Sequence, residues 1–186
     1  MTIEEGQDRR VRRTKQRLQA ALTSLIGEMS YDKITVQDLI DRADVGRSTF
    51  YAHYETKDDL LISGLDRLTV DMELHMADDP SAADAILPSL GLFRHAAENH
   101  ERFRALIGSR GIDLVHKAAI DALTERARAA IDRRSAAGEH SSLPPDARAA
   151  FAAGSLMVLL TWWLDNDMPY PAETMADMYR QLTATA

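Results

Sequence analysis

The chain has 186 residues, of which 45% are apolar, and this composition supports a packed core and excludes wholesale disorder. It has a net charge of −7 and contains no cysteine, which excludes disulfides and thiolate metal sites. It lacks an apolar leader and any uninterrupted run of eighteen apolar residues, so we expect a cytoplasmic protein without a membrane span.

The charges are distributed unevenly along the chain. Residues 1–57 carry ten Lys or Arg against nine Asp or Glu, a net charge of +1, whereas residues 58–186 carry a net charge of −8. Within residues 9–17, six of nine residues are basic and none is acidic. Such a patch is typical of a nucleic-acid-binding surface, although charged runs also occur on ordinary solvated surfaces.

The N-terminal part predicts three helices joined by tight turns. Apolar residues at three- and four-residue steps predict a first amphipathic helix over residues 9–29. Thr35, with Asp38 three positions later, predicts the N-cap of a short second helix that ends after Ala43. The segment "DVG" separates this helix from a third one, and two short helices around a tight turn form a helix-turn-helix.

The rest of the chain predicts a larger helical bundle, because sustained period-two alternation and clustered β-branched residues are missing. Thr56, with Asp59 three positions later, starts a long helix in the same way as Thr35. We therefore expect an all-α protein of about nine helices, with one domain over residues 1–56 and a second over residues 57–186. The helices expected in the second domain span residues 57–77, a segment opened by Ser81 and interrupted at Pro88, 101–108, 111–134, 146–165 and a last helix from Pro171.

The helix-turn-helix segment divides into buried and outward residues. Phe50 and Tyr54, four residues apart, predict the buried stripe of the third helix. The apolar residues expected to join them in the core are Val36, Leu39, Ile40, Ala43 and Val45. The residues left for the outer face are Arg47, Ser48, Thr49, Tyr51 and His53.

These outward side chains have the chemistry that DNA recognition requires. Arg47 can donate to O6 and N7 of guanine, and the hydroxyls of Ser48 and Thr49 can donate or accept. Phosphate oxygens suit Tyr51, His53, Lys57 and the backbone amide at Thr35. Each residue alone is also compatible with a plain surface or core position, so the constellation behind a basic first helix carries the inference.

The segment "ADVGRSTFYAHYETKDDLL" resembles the helix-turn-helix signature of the TetR family, the tetracycline-repressor type of transcriptional regulator. The resemblance is close over residues 9–60 and departs from the family pattern at two positions. Asp44 stands where the family usually has glycine, and aspartate tolerates a positive φ better than most residues. Gly46 stands where the family often has a serine cap, and glycine is only slightly worse there.

The resemblance implies a homodimer that binds double-stranded DNA at a near-palindromic operator, with one recognition helix per subunit in successive major grooves. It also implies that the C-terminal bundle binds a small molecule that changes the spacing of the two heads. The DNA contacts implied by position are Thr35, Arg47, Ser48, Thr49, Tyr51, His53 and Lys57. Further contacts with the DNA backbone are expected from Arg12, Arg13 and Lys15 of the first helix.

The predicted helix 146–165 is apolar nearly all round, and such a helix must be buried on more than one side. One side can face its own bundle and another a partner subunit, with the last helix completing an intersubunit four-helix bundle. The alternative is the central helix of a monomer. The expected dimer residues are Phe151, Gly154, Ser155, Val158, Met175, Met178, Tyr179 and Leu182.

A ligand pocket is expected between the helices of the second domain, and its apolar lining favours an apolar or aromatic compound. The candidate lining residues are Leu68, Met72, Phe93, Phe103, His116, Ile120 and Trp162, each of which is also compatible with a plain core position. Pairs of His with Asp or Asn at four-residue spacing occur, but an HExxH motif does not, so we expect no metal and no cofactor.

The leading interpretation is a ligand-responsive, sequence-specific DNA-binding regulator, most commonly a repressor that releases its operator when a small molecule binds. An alternative is a helical adaptor with an inactive or non-specific DNA-binding head, which acts through protein contacts. An enzyme in the acidic bundle is a third reading. It requires convergent titratable groups, and the sequence contains no nucleophile–base pair at readable spacing, so we expect no enzymatic activity.

Overall fold

The computed structural model describes residues 3–64, 86–101 and 109–184. The chain divides into two compact units, Met1–Asp66 with Glu101–Val115, and Arg67–His100 with His116–Ala186. The domain boundary expected after residue 56 stays a prediction.

All regular structure within the described ranges is helical, which confirms the all-α class. Residues 57–64 and 100–101 are helical too. The elements with defined bounds are α1 Ile3–Glu28, a 3₁₀-helix Tyr31–Lys33, α2 Val36–Ala43, α3 Arg47–Tyr51, α4 Leu90–Glu98, α5 Arg110–Ala136, α6 Pro145–Asp165 and α7 Ala172–Ala184. Eight bounded elements are close to the nine helices expected.

The predicted helix bounds differ from the observed ones in detail. The first helix spans Ile3–Glu28 rather than residues 9–29. The predicted helix 111–134 is longer by one residue at its start and two at its end, and the predicted helix 146–165 begins one residue earlier. The predicted helices that lie wholly or partly outside the described residues are the end of 57–77, the start of the segment opened by Ser81, and most of 101–108.

The first unit has one continuous apolar core. Leu18, Leu22 and Leu25 form the buried stripe of α1, and α5 contributes Val115 from its second turn. Leu39, Ile40 and Ala43 of α2 are buried, as are Phe50 and Tyr54, as predicted, whereas Val36 and Val45 are only partly buried against this core. The buried core residues are Leu18, Ala21, Leu22, Leu25, Ile26, Tyr31, Ile34, Leu39, Ile40, Ala43, Phe50, Tyr54, Leu60, Leu61 and Val115.

Reciprocal side-chain caps begin two helices of the first unit. The N–H of Asp38 donates to the hydroxyl of Thr35 at 3.2 Å, and the N–H of Thr35 donates to the Asp38 carboxylate at 2.8 Å. Thr56 and Asp59 form the same pair, at 3.1 and 2.9 Å. Hydrogen bonds from the hydroxyl and the backbone N–H of Thr35 lower the pKa of Asp38. Both predicted helix starts are therefore confirmed.

The turn between α2 and α3 depends on two residues. Asp44 adopts a left-handed conformation, with φ 49° and ψ 57°, and ends α2. Gly46 is extended, with φ −73° and ψ 154°, and occupies the N-cap of α3 without a side-chain bond. The helix-turn-helix expected from the sequence is confirmed, including the positive φ at Asp44.

The second unit is built around α6, which buries seven of its residues. The rings of Phe93 and Trp163 pack edge to face with centroids 5.4 Å apart. The indole N–H of Trp163 donates to the carbonyl oxygen of Tyr170 at 2.9 Å. The hydroxyl of Tyr179 donates to the carbonyl oxygen of Ala152 at 2.8 Å. Burial raises the pKa of Tyr179 to about 12.

By length and composition alone, α6 would also be able to cross a bilayer, since a window of it has a mean hydropathy of 1.4. The charged residues Asp146 and Arg148 near its start and Asp165 at its end limit the run of uncharged residues in α6. In this fold 39% of that window is buried within the protein. An apolar core helix of a helical bundle has the same composition.

Candidate nucleic-acid interface

The third helix is held on the first unit by two aromatic side chains. Phe50 is fully buried and Tyr54 is 7% exposed, and their ring centroids lie 5.9 Å apart. The hydroxyl of Ser63 donates to that of Tyr54 at 3.3 Å. This anchoring fixes the rotation of α3 and therefore determines which of its side chains face outward.

The opposite side of α3 carries the polar residues that the sequence predicted as DNA contacts. Arg47 and Ser48 are exposed, whereas Thr49 and His53 are half-buried. Tyr51 is 52% exposed, and its ring meets the edge of Phe50 at a centroid distance of 5.4 Å. The structure therefore places Arg47, Ser48, Thr49 and Tyr51 on α3, where a recognition helix meets base edges, and His53 in the turn that follows this helix.

The exposed face of α2 adds a residue that the sequence analysis missed. Nη2 of Arg47 donates to Oε1 of Gln37 at 3.1 Å, and Nε2 of Gln37 donates to Oδ1 of Asp41 at 2.8 Å. Gln37 lies two residues after the N-cap Thr35, in the first turn of α2. A polar residue two positions after the N-cap of the first short helix is a sequence signal that could have identified it.

Thr35 lies at the exposed start of α2, as predicted. Its backbone N–H and its hydroxyl both donate to Oδ2 of Asp38, at 2.8 and 2.6 Å. A phosphate that binds this N–H therefore has to replace the Asp38 carboxylate. The contact with DNA stays a prediction.

Lys57 is half-buried, and its ammonium binds backbone carbonyls of the first unit. It donates to the carbonyl oxygens of Tyr31 at 2.8 Å, Asp32 at 3.3 Å and Ile34 at 2.7 Å. It also lies 4.5 Å from the ring centroid of Tyr31. Three donors are satisfied within the protein, so the observed contacts of Lys57 are structural, and its predicted phosphate contact stays untested.

The basic segment of α1 is exposed, and one of its residues connects it to the turn. Arg12, Arg13 and Lys15 are all exposed. Arg17 forms an ion pair with Asp44, with 2.7 Å between Nη2 and Oδ2. Because Arg13 lies one helical turn before Arg17, it shares the face of α1 that is directed towards the turn.

The second unit places the predicted pocket residues in different environments. Leu68, Met72 and Phe103 lie outside the described residues. Phe93 is fully buried, and His116 and Ile120 are half-buried. Trp162 is 44% exposed and stacks on Tyr170, with ring centroids 6.5 Å apart, so the indole inside the unit belongs to Trp163.

A groove of about 560 Å³ lies elsewhere in this unit. It is lined by the α5–α6 loop, the start of α6 and the end of α7, and no residue of the predicted pocket is among its described lining. The lining residues are Ile86, Ser141, Leu143, Ala147, Arg148, Phe151, Ala152, Tyr179 and Thr183. Sequence reasoning identified the loop but not that it borders a groove.

The predicted dimer residues divide into two groups. Phe151, Val158 and Leu182 are 53%, 69% and 62% exposed, and Gly154, Ser155 and Met178 are half-buried. Met175 and Tyr179 are buried within their own unit. The exposed apolar residues Phe151, Val158 and Leu182 form, together with Trp162, an apolar surface on α6 and α7, which we call the α6–α7 face.

Residues 18–63 match the family model of bacterial regulatory proteins of the tetR family. Residues 89–185, more than half of the chain, match a TetR-type model described as a transcriptional regulator C-terminal region. Over 70 residues the chain is 36% identical to YxbF, an uncharacterized HTH-type transcriptional regulator of Bacillus subtilis (strain 168). That match covers 37% of this chain and 18% of the relative, so the chain aligns with less than a fifth of the relative's length.

Solved structures show the same fold over nearly the whole chain. A TetR transcriptional regulator from Streptococcus agalactiae 2603V is 25% identical with a TM-score of 0.57, covering 97% of this chain and 98% of that one. A TetR-family regulator from Syntrophomonas wolfei str. Goettingen is 20% identical with a TM-score of 0.69, covering 92% and 93%. With both of its parts matched to TetR-type models, the chain belongs to the TetR family of bacterial transcriptional regulators.

Proposed function

We propose that this TetR-family regulator is a cytoplasmic homodimer that binds a near-palindromic operator sequence-specifically. In this proposal it represses transcription and releases the operator when a small molecule binds its second unit. The observation that carries the DNA-binding part is the polar tip of α3, Arg47 to Tyr51, in which Arg47, Ser48 and Tyr51 are exposed while the fully buried Phe50 anchors the helix in the core.

The chemistry of the tip supports base reading rather than phosphate binding alone. Arg47 matches the two acceptors of guanine in the major groove, and Ser48 presents a hydroxyl beside it. The exposed Arg12, Arg13 and Lys15 of α1 supply positive charge for the phosphates. This division gives sequence preference to α3 and salt-dependent affinity to α1.

The homodimer is supported by the α6–α7 face. Val158 is 69% exposed and Phe151 is 53% exposed on one side of a helix whose other side is core. Contiguous exposed apolar side chains of this kind mark protein interfaces. Two copies of the face, related by a twofold axis, would form a four-helix contact, as oligomers of this symmetry use one patch twice.

The effector part of the proposal is supported by the groove beside the start of α6. Its volume of about 560 Å³ is in the range of small-molecule sites. Its lining is mainly apolar, with Arg148 as a charged member and Tyr179 as an aromatic one. This lining favours a small apolar or aromatic compound.

Selection of bound duplexes from a random DNA pool tests the proposal. The expected result is enrichment of one inverted repeat with half-sites about one helical turn apart. Arg47→Ala is expected to lose the preference at one base pair of each half-site. Compounds are then screened for release of the selected duplex, and a reporter strain without the regulator shows the sign of regulation. A pool in which no sequence is enriched would reject sequence-specific binding.

A further inference from the structure

Gln37 and Arg47 come from the two different helices of the helix-turn-helix, and their side chains meet on its exposed face. Nη2 of Arg47 lies 3.1 Å from Oε1 of Gln37. One helical turn along α2, Oδ1 of Asp41 accepts a hydrogen bond of 2.8 Å from Nε2 of Gln37. The three side chains form a continuous hydrogen-bonded row, and all three residues are exposed.

The row has a direction that follows from the chemistry of its members. A carboxylate only accepts, so Asp41 binds the NH₂ group of Gln37 and leaves the amide oxygen for Arg47. A guanidinium only donates, so the amide oxygen is the atom that it can use. Asp41 therefore sets the orientation of the Gln37 amide, and this amide in turn restricts the guanidinium of Arg47.

We propose that Gln37, oriented by Asp41, is a positioning residue that holds Arg47 in place to read a guanine. The inference rests on the proposed function, in which Arg47 contacts a base. A guanidinium has five N–H donors, and bidentate contact with O6 and N7 of guanine uses two of them, so the bond to Gln37 can persist in the complex. An arginine that is already ordered loses less side-chain freedom on binding.

The neutral amide also has an electrostatic consequence. A carboxylate in direct contact with Arg47 would compensate its charge and weaken its attraction to DNA. Gln37 places the negative charge of Asp41 one side chain further away and leaves the guanidinium unpaired by any carboxylate in this row. Gln37 thus orders Arg47 without neutralising it.

A double-mutant cycle on the selected operator tests this proposal. Wild type, Gln37→Leu, Arg47→Ala and the double variant are each measured on the operator and on the operator in which the Arg47-dependent G·C pair is replaced. We expect Gln37→Leu to lower discrimination at that pair about three- to tenfold and to have no further effect in the Arg47→Ala background. The dependence of affinity on salt should not change, because glutamine carries no charge.

Two further variants support the interpretation. Asp41→Ala should reduce the same discrimination in the presence of Gln37 but not in its absence. Asp41→Ala also removes a negative charge, which raises the affinity for any DNA. The ratio of the affinities for the two operators cancels this general gain. Gln16→Leu, a change of an exposed glutamine on α1, is the matched control and should leave the ratio unchanged. Thermal unfolding of each variant verifies that it is folded. Gln37→Ala is a second variant that lacks the Gln37 amide, and it should lower the discrimination in the same way as Gln37→Leu.

The outcomes separate this inference from the proposed function. If Gln37→Leu changes the preference at another base pair, additively with Arg47→Ala, Gln37 is an independent reader and the positioning role is rejected. If it changes no preference while Arg47→Ala does, the positioning role is also rejected, and the proposed function survives. If Arg47→Ala itself leaves every preference unchanged, the assignment of Arg47 in the proposed function fails, and the inference fails with it.

Discussion

The ammonium of Lys57 lies 2.7 Å from the carbonyl oxygen of Ile34 and 2.8 Å from that of Tyr31. The Tyr31 carbonyl belongs to the 3₁₀-helix and also accepts from the N–H of Ile34 at 3.1 Å, and the Ile34 carbonyl belongs to the residue after this helix. The cation at the start of the helical segment 57–64 satisfies them and thereby joins two elements of the first unit.

Replacing Lys57 is therefore expected to reduce stability. We predict that Lys57→Met lowers the free energy of unfolding by about 1–3 kcal/mol, because half-buried carbonyls lose a charged donor. Chemical denaturation measures the change, and Lys33→Met, at an exposed lysine of the same 3₁₀-helix, is the control. Unchanged stability together with weaker binding to all DNA sequences would instead establish Lys57 as a phosphate contact.

The buried phenol of Tyr31 predicts a dependence of stability on alkaline pH. Its hydroxyl donates to Oδ1 of Asp58 at 2.5 Å, and Asp58 is also paired with Arg110. Burial, and then the hydrogen bond to Asp58, raise the pKa of Tyr31 above its ordinary value of 10. The folded protein therefore keeps a proton that the unfolded chain releases above pH 10, so this contribution to stability decreases as pH rises above that value.

We expect the free energy of unfolding of wild type to fall from about pH 10 upwards more steeply than that of Tyr31→Phe. Burial raises the pKa of Tyr179 to about 12, and this residue contributes equally to the pH dependence of both proteins. Denaturant titrations between about pH 9 and 11 measure the two slopes, with Tyr170→Phe at a 43% exposed position as control. Parallel slopes for wild type and Tyr31→Phe would contradict the prediction.

The left-handed residue Asp44 predicts opposite tolerances for two substitutions. A β-branched side chain is strained at φ 49°, so Asp44→Val should destabilise the protein by about 1–2 kcal/mol. Asp44→Gly relieves the backbone but loses the exposed ion pair with Arg17, and these effects nearly cancel. Thermal unfolding compares the variants, and equal losses for both would show that the ion pair, not the backbone, determines this turn.

The α6–α7 face predicts the oligomeric state. Val158→Asp places a charge at a 69% exposed position, so it should leave the subunit folded but disrupt an apolar contact between subunits. We expect a mass of twice 20.7 kDa for wild type and of 20.7 kDa for Val158→Asp by sedimentation. Met29→Glu, at an exposed apolar residue of the first unit, should remain dimeric. A Val158→Asp dimer would remove this face from the interface.

Local signals explain which features of the fold were predictable. The two reciprocal caps at Thr35 and Thr56 depend on residues three positions apart, and the positive φ of Asp44 depends on the turn that contains it. The burial of Phe50 and Tyr54 follows from four-residue spacing on a short helix. In each case the interaction is contained within one helical turn, so the sequence window includes both partners.

Features that depend on distant partners were not predictable in the same way. Trp162 and Trp163 are neighbours on a helix that is apolar all round, so periodicity could not decide which one lies inside. Phe93 and the carbonyl of Tyr170 determine that it is Trp163. The sequence predicts Lys57 as a phosphate contact and does not reveal its structural role, because the carbonyls that it binds belong to residues more than twenty positions earlier.

The central claim is that the tip of α3 reads sequence, and the ratio of affinities for operator and random DNA tests it most directly. Binding of wild type and Arg47→Ala to the selected operator and to a scrambled duplex is measured at about 50 and 200 mM salt. We predict that salt weakens all complexes, that wild type keeps a preference of at least about a thousandfold, and that Arg47→Ala loses about 1–3 kcal/mol on the operator alone. Equal affinity of wild type for both duplexes at both salt concentrations would contradict the claim.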